Sequence, residues 1–585
     1  MINAPNRLFD GMFSFAGGMD AGRNPVLLAE DQCQEIENAI CRGGKLTTRP
    51  AFREMTLNFT NNITYDDHGG HGGANPIGTQ DAFHNGLFQC ACYYDPSLDT
   101  EMFVVSIGGR LFTVVPHGTN ADVTELYLDK QNRDNISISY MVQADRFLIV
   151  QDGENTPIIF DGVTARRALA NEIFTGTEMA YGLGRIVLIG KNKRDIYFGD
   201  LYGSHEGEPG LSVLQFTETT FLSEGGAASL PFTMGHATGL IFFPEQDTTM
   251  GQGQLLIFAE KGMASFFLDL PREQWKTSKF QAMALIDIGG TGHRTLTPVN
   301  SDIWFRSTDG WRTYRQARAE AKGWFQLPLS TEVSNFVDVE TPTLLYLASS
   351  IHFDNRLITT CTPVPNQGKP YHNGFLSLDF DVLSSFGQAA HKPSWDGHWS
   401  GLKTLQLVEG MFAGQHRAFA FGLDDGGLNA FYEIDPVSTK DTSGPITSYV
   451  VPKSFTFQEY FNEGKLNGGD IWFDNIRENT TAQVWFKPDD YPEWLPWMTS
   501  DQDPIQQLTP IGIAGQISGG TPTLREGFSP RRSLIKPQAD TDPTTKRDLK
   551  RFYEVHQKIQ WTGNASINRI RLAQDKETEK VKATR

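Results

Sequence analysis

The 585-residue chain has few cysteines, no long apolar run, scarce helical periodicity and no excess of basic charge. Its five cysteines, Cys33, Cys41, Cys90, Cys92 and Cys361, are odd in number and read as free thiols of a reducing compartment. Cys90 and Cys92 would share one face of a strand, but no second pair of zinc spacing accompanies them, so no metal site is expected. No apolar run approaches the roughly 18 residues of a membrane span, and Met1 to Arg7 lacks the basic-then-apolar start of a signal peptide. A soluble product assembled in a cytoplasm is the expectation. The sequence carries no G-x-S-x-G elbow, no H-E-x-x-H and no phosphate-binding G-x-x-x-x-G-K-[ST]. Gly182-Leu183-Gly184 lacks a third glycine and precedes a strand-like run, so it is no dinucleotide loop. No catalytic residue, no cofactor and no enzyme activity are therefore expected.

The net charge of −18 is unevenly placed. Residues 446–585 hold 19 Lys and Arg against 18 Asp and Glu, which leaves 32 basic and 51 acidic residues in 1–445. An acidic surface of net −19 argues against gripping phosphates, which takes clustered Lys and Arg. It is compatible with a wall along which DNA slides without sticking, and equally with an ordinary soluble surface.

What is present is turn-formers and aromatics: 57 Gly, 30 Pro and 40 Phe. This composition favours a mainly β chain of two to four domains. Three are read. Residues 1–85 form an N-terminal head segment, with a short helix over Leu27 to Ile40, glycines at 43 and 44 as its C-cap, and a mobile loop from Asn61 to Asn85. Residues 86–445 repeat a module of two short strands joined by a polar, Gly-containing turn, as in Met102 to Ile107, Gly108-Gly109, then Arg110 to Val115. About seven such units recur, among them Phe147 to Phe160, Leu255 to Leu268 and Asp302 to Tyr314. Asp-Gly and Gly-Gly pairs at the reversals suit type I′ turns. Hairpins that cannot bury both faces alone must stack on neighbours, so a β-propeller-like array of hairpin modules is expected, with an open sandwich as the other solution. Residues 446–585 alternate polar with apolar and read as a C-terminal β-sandwich carrying a long Pro-, Gly- and Thr-rich insertion near 504–545.

Candidate chemistry is sparse. Asp66, Asp67, His68 and His71 lie among glycines that give metal ligands no rigid scaffold. Asp195, Asp302, Asp309 and Asp379 sit at strand edges where a glycosidase pair would have to lie, yet acids at turns ordinarily bond the local backbone. Trp485, Tyr491, Trp494 and Trp497, with Asp489, Asp490 and Glu493, resemble a carbohydrate platform, but Pro488, Pro492 and Pro496 make a rigid loop packing its own rings the better reading.

One phrase in the head segment is informative. Gly17-Gly18, Asn24-Pro25, Gln34, Asn38, Arg42-Gly43-Gly44-Lys45-Leu46 and Arg49-Pro50 are similar to the opening of the tail nozzle family of short-tailed bacteriophages (tail tubular protein B, or packaged-DNA stabilisation protein). Ala51 stands where that family has glycine. The segments around Phe455 to Phe457, Val484 to Phe486 and Gln557 to Gly563 also resemble its terminal sandwich. The resemblance implies a virion tail protein whose copies, six in number, form a ring below the portal and adaptor. Implied partners are further copies of the chain, the head-to-tail connector proteins, a tail fibre or tip protein, and double-stranded DNA passing without sequence recognition. Gly17, Gly18, Pro25, Asn38, Arg42, Gly43, Gly44, Arg49 and Pro50 are the structural or interface residues it points to. Arg42 and Arg49 would clamp carboxylates or carbonyls, either between subunits or within the chain. A receptor-binding or glycan-degrading tail protein is the competing class, and a cellular propeller lacks its regular Trp-Asp or kelch period here.

Overall fold

The computed structural model describes residues 7–576 apart from 65–76, 97–100, 205–208, 218–225, 244–252, 269–274, 276–280, 287, 321–326, 365–367, 382–392, 458–462, 477–479, 498–504, 509–530 and 535–547. The Asp66-to-His71 cluster and most of the 504–545 stretch therefore lie outside the described residues.

Short apolar runs form strands that are buried on both faces, and the reason is visible in where alternate side chains go. In Phe147–Gln151 every residue is buried. Phe147 and Ile149 pack with Met179, Ile186 and Leu188, while Leu148 and Val150 pack with Cys90, Tyr94 and Val104. Period-two alternation thus faces one neighbouring sheet and then the other, rather than core and solvent.

The same rule generates a closed ring. Among the described residues the sheets make seven blades. Blade 1 is Phe88–Tyr94, Met102–Ile107, Arg110–His117 and Asn120–Glu125, with Thr56–Phe59 added in parallel outside. Blade 2 is Tyr140–Ala144, Phe147–Gln151, Ile158–Phe160 and Ala165–Arg167. Blade 3 is Gly176–Gly182, Arg185–Gly190, Asp195–Phe198 and Ala227–Ser229, and blade 4 is Ala237–Phe242, Leu255–Ala259, Gly262–Phe266 and Gln281–Ile286. Blade 5 has three strands, Thr297–Val299, Asp302–Ser307 and Gly310–Thr313, followed by a helix, Tyr314–Glu320. Blade 6 is Ser350–Phe353, Arg356–Cys361, His372–Asp379 and the first part of the long strand Ser394–Phe412. The second part of that strand opens blade 7, continued by Gln415–Leu423 and Asn429–Asp435. Apolar side chains fill each of the seven wedges: those between blades 5 and 6 are continuous with the core of the remaining strands, and Phe103, Phe412, Phe419, Phe421 and Phe431 join blade 7 to blade 1.

The ring is sealed by a strand from far upstream. Ala51–Glu54 pairs antiparallel with Asn429–Asp435 as the outer strand of blade 7. On the inside, Gln406 of blade 7 and Ala91 of blade 1 exchange hydrogen bonds of 3.0 and 2.8 Å. The two ends of the propeller are thus tied both at the rim and at the hub.

The remaining strands form a two-sheet sandwich. One sheet runs Gln32–Glu37, Thr447–Pro452, Val555–Thr562 and Thr480–Pro488, and it joins the propeller where Glu37 meets His398 of blade 6. The other runs Ala39–Arg42, Lys45–Thr48, Ser566–Lys576 and Gly464–Asp474, flanked by Arg7–Met12 and Arg531–Leu534. Met12, Phe15, Cys33, Leu46, Val484, Ile559, Trp561 and Ile570 are buried between them. The fold is a β-propeller array of hairpin modules with a β-sandwich, whose sheets take strands from both ends of the chain.

The helix expected over Leu27 to Ile40 is a correction. Pro25–Leu27 is one 3-10 turn, and Gln32–Glu37 and Ala39–Arg42 are strands. Cys33, Ile36 and Ile40 recur at helical spacing, but the backbone reverses hand at Asn38 (φ 54°), so two short strands bury the same residues. Strand partners on both sides outweigh local propensity. Gly43 and Gly44 accordingly cap no helix: both adopt positive φ, 60° and 74°, and turn Ala39–Arg42 back into Lys45–Thr48 as a type I′ hairpin.

Candidate functional site

The residues of the head-segment phrase come together at the seam between propeller and sandwich. Asn38 stands between the two strands that enter opposite sheets, and its left-handed backbone is the kind short polar side chains tolerate. Its amide Nδ2 donates to Ser400 Oγ and to the Thr447 carbonyl, each at 3.0 Å. Its Oδ1 accepts from Arg49 Nε at 2.9 Å and from the Ser400 amide at 2.8 Å. Its own N–H donates to the His398 carbonyl, and its carbonyl accepts from Ser448 Oγ. One side chain therefore holds blade 6, the sandwich strand 447–452 and the 49–50 segment in register, with no amide position wasted.

Arg49 completes the cluster. Its side chain is 1% exposed and forms a two-pronged pair with Asp441, Nη1 to Oδ1 at 2.9 Å and Nη2 to Oδ2 at 2.7 Å. Nη1 also donates to the Pro50 carbonyl and Nη2 to the Ser400 carbonyl, and the guanidinium lies 3.9 Å from the Phe52 ring centroid. Asp441 Oδ1 takes a further bond from the Phe52 amide. The rim closure by Ala51–Glu54 is therefore anchored directly by Arg49. A shallow depression of about 370 Å³ lies over this seam, between Glu37, Arg49, Tyr449 and Lys558.

Arg42, at the hairpin tip, is half exposed and pairs with Asp354 at 2.5 Å and with Asp381 at 3.5 Å, both on blade 6. Beside it Arg356 is buried and binds Asp396 at 2.7 Å, with Asp379 3.5 Å away. Asp396 also accepts from the Cys41 amide at 2.8 Å, so the same carboxylate grips the hairpin and the blade. Burial, reinforced by the Asp396 charge and opposed by Arg356, pushes the Asp379 carboxyl up to about 7. Gly17, Gly18 and Pro25 lie along the same boundary. Gly18 has φ 65°, and a Cβ there would come within 2.4 Å of the Trp395 carbonyl oxygen. The Pro25 carbonyl accepts from the Ser454 amide, and Asn24 caps the turn through the Val26 N–H at 3.1 Å. Both arginines of the phrase thus have their clamps within the chain.

The other sequence candidates separate. Asp195 bonds Asn192 and Ser229 locally, Asp302 accepts the Ile303 and Arg315 amides, and Asp309 pairs with Arg312. Trp497 is buried against Phe486, and Asp489 accepts the Tyr553 and Glu554 amides. These are turn and loop supports. All five cysteines are free, with Cys90 and Cys92 on one face of the inner strand of blade 1. Among the described residues no group of acids, histidines and cysteines is arranged to hold a metal ion, and no helix is long and apolar enough to cross a membrane. Asp441 and Asp396 were not singled out from sequence; Arg49 and the Cys41 amide, which they bind, lie hundreds of residues away, and spacing alone does not reveal that.

No family model matches the sequence, and no curated protein matches it. Solved structures similar to it include Sqt1 of Saccharomyces cerevisiae, at 9% identity over 60% of this chain and 97% of that chain, with a TM-score of 0.33. The C-terminal WD40 domain of Sif2 is similar at 12% identity over 59% of this chain and 81% of that one, TM-score 0.31. BamB from Moraxella catarrhalis is similar at 11% identity over 66% and 99%, TM-score 0.30.

Proposed function

We propose that this chain is a structural subunit of a short-tailed phage tail, a nozzle protein whose copies form a ring, six in number, below the portal and adaptor. The ring retains packaged DNA and passes it during ejection, and no turnover is involved. The observation that carries the reading is the head-segment phrase: Asn38, Arg42, Gly43, Gly44 and Arg49 are one physical unit that fastens sandwich to propeller. A protein that must keep two modules in fixed orientation while DNA is driven past has use for such a clamp.

The charge placement supports the same reading. With an excess of 19 acids in 1–445, the propeller side offers a duplex repulsion rather than grip. Connector proteins, a fibre or tip protein, and DNA handled without base recognition follow as partners, and the virion tail as the location. The test is the solution mass of the purified chain, alone and with its connector. A closed assembly of six 65.2 kDa subunits is expected. A stable monomer or trimer that degrades host surface polysaccharide overturns the proposal.

A further inference from the structure

Two exposed patches of opposite charge stand at the same end of the propeller. Each is built on turns between the second and third strands of a blade: 191–194 in blade 3, 260–261 in blade 4 and 424–428 in blade 7. Blades 5 and 6 separate the patches on one side of the ring, and blades 1 and 2 on the other. They therefore lie on opposite sides of the hub.

The basic patch spans blades 3 and 4. Lys191, Lys193 and Arg194 come from one turn and Lys261 from the next. The loop between the blades holds the two turns together: the Ala237 amide donates to the Lys193 carbonyl at 2.7 Å, and the Lys261 amide to the Met234 carbonyl at 2.9 Å. The acids of these turns are engaged locally, Asp195 by Asn192 and Ser229, and Glu260 by His236. Among the described residues Lys191 and Lys261 are exposed and form no ion pair. Phe232, 88% exposed, adds an aromatic ring with the Arg194 guanidinium 3.4 Å from its centroid. Aromatic and arginine side chains are enriched where proteins meet.

The acidic patch belongs to blade 7. Asp424 and Asp425 sit in its turn, and Glu54 of the outer strand stands close enough to feel both. Burial, and after it the charges of Asp424 and Asp425, push the Glu54 carboxyl up. His84, the base that acts on Glu54, gives its Nδ1 proton to the Asn429 carbonyl at 3.0 Å. Among the described residues none of the three acids forms an ion pair. Leu428 in the same turn adds exposed apolar surface.

We infer that the basic patch of blades 3 and 4 docks on the acidic patch of blade 7 of a second copy of this chain. Patches that differ from each other and lie on opposite sides of a subunit join copies head to tail, which closes a ring or extends a filament. Crowded carboxylates on one copy then gain cations from the next, whereas a two-fold contact of either patch with itself sets like charge against like. The inference rests on the ring reading and names the contact that builds the ring.

The test is sedimentation of the full chain, alone and with its connector, beside two charge-reversed variants: Lys191→Glu with Lys261→Glu, and Asp424→Lys with Asp425→Lys. The unaltered chain is expected to assemble, and each variant by itself to associate about a hundredfold or more weakly, because like charges now meet. Mixed in equal amounts the two variants are expected to assemble again, since every contact between alternating copies pairs opposite charges. Matching melting curves establish that both variants are folded. A variant that assembles as the unaltered chain does, an equal mixture that stays apart, or an unaltered chain that stays monomeric in both conditions overturns the inference. A ring of six that ignores the variants overturns this contact and leaves the conduit reading standing. A filament that responds to them as described supports the contact and overturns the conduit.

Discussion

Arg49 is withdrawn from water and Asp441 keeps only 12% of its side chain exposed, so neither charge is well solvated if its partner is removed. Asp441→Asn or Arg49→Met is expected to cost about 3–5 kcal/mol, read as a drop in the denaturation midpoint. Arg49→Lys is expected to fall nearly as far, because an ammonium cannot bond Asp441 twice while also reaching Asn38 and Ser400. Arg42→Ala, at a half-exposed pair, is expected to cost about 1 kcal/mol or less. Asp379 makes a prediction with a sign. Its carboxyl is held up near 7 in the folded chain against an ordinary value of 3.8, so the folded state keeps the proton longer than the unfolded one does. That contribution is full below pH 3.8 and is lost as pH rises through 7. Asp379→Asn should therefore melt higher than the unaltered chain at pH 8, by about 2 °C or more, and alike at pH 4. Equal melting temperatures at both pH values would contradict the assignment.

The hairpin at Gly108-Gly109 was legible, whereas the Gly-Gly pair at 43 and 44 reads in sequence as a helix C-cap. Gly108-Gly109 has φ of 56° and 77°, the type I′ geometry its sequence implies. Asp354-Asn355 and Asn300-Ser301 make the same turn without glycine, at φ of 53° and 57° and of 48° and 62°. Asp309-Gly310, an Asp-Gly pair, does not, since Gly310 sits at φ 151°. The misread helix over Leu27 to Ile40 has the same origin: nothing near Asn38 in sequence discloses that Thr447–Pro452 will pair beside it. The place of strand Ala51–Glu54 on blade 7, nearly 400 residues downstream, follows only from the closed ring. Deleting residues 1–54 strips that outer strand and five strands of the sandwich, the short Gly18–Met19 among them. The truncated chain is expected to lose its cooperative melt by near-UV circular dichroism, although every blade's inner strands remain.

At the scale of the whole molecule, the alternating apolar pattern and the turn spacing announced a propeller-like array, whereas the blade number did not show because blade 5 has three strands and one long strand serves blades 6 and 7. The clamp was half legible: the phrase named Asn38, Arg42 and Arg49, and only the fold supplied Ser400, Asp441 and Asp396. Four histidines, His293, His372, His398 and His556, are held down to about 4 chiefly by burial. A histidine kept neutral when folded contributes stability above about pH 6.5 that is lost as pH falls through 4. Asp379 and the other carboxyls that burial raises, Glu125, Glu178, Asp302 and Glu340 among them, drift the opposite way. The test is therefore His372→Gln, which is expected to flatten any fall in melting temperature between about pH 6.5 and 4; an unchanged profile would contradict the assignment.

A single-particle reconstruction of the virion that carries this chain tests the central claim most directly. The conduit reading predicts six copies in a ring on the tail axis, with the acidic side of residues 1–445 toward the passing DNA. Copies placed as peripheral spikes, or a lumen in which this chain grips phosphates with clustered Lys and Arg, would contradict it.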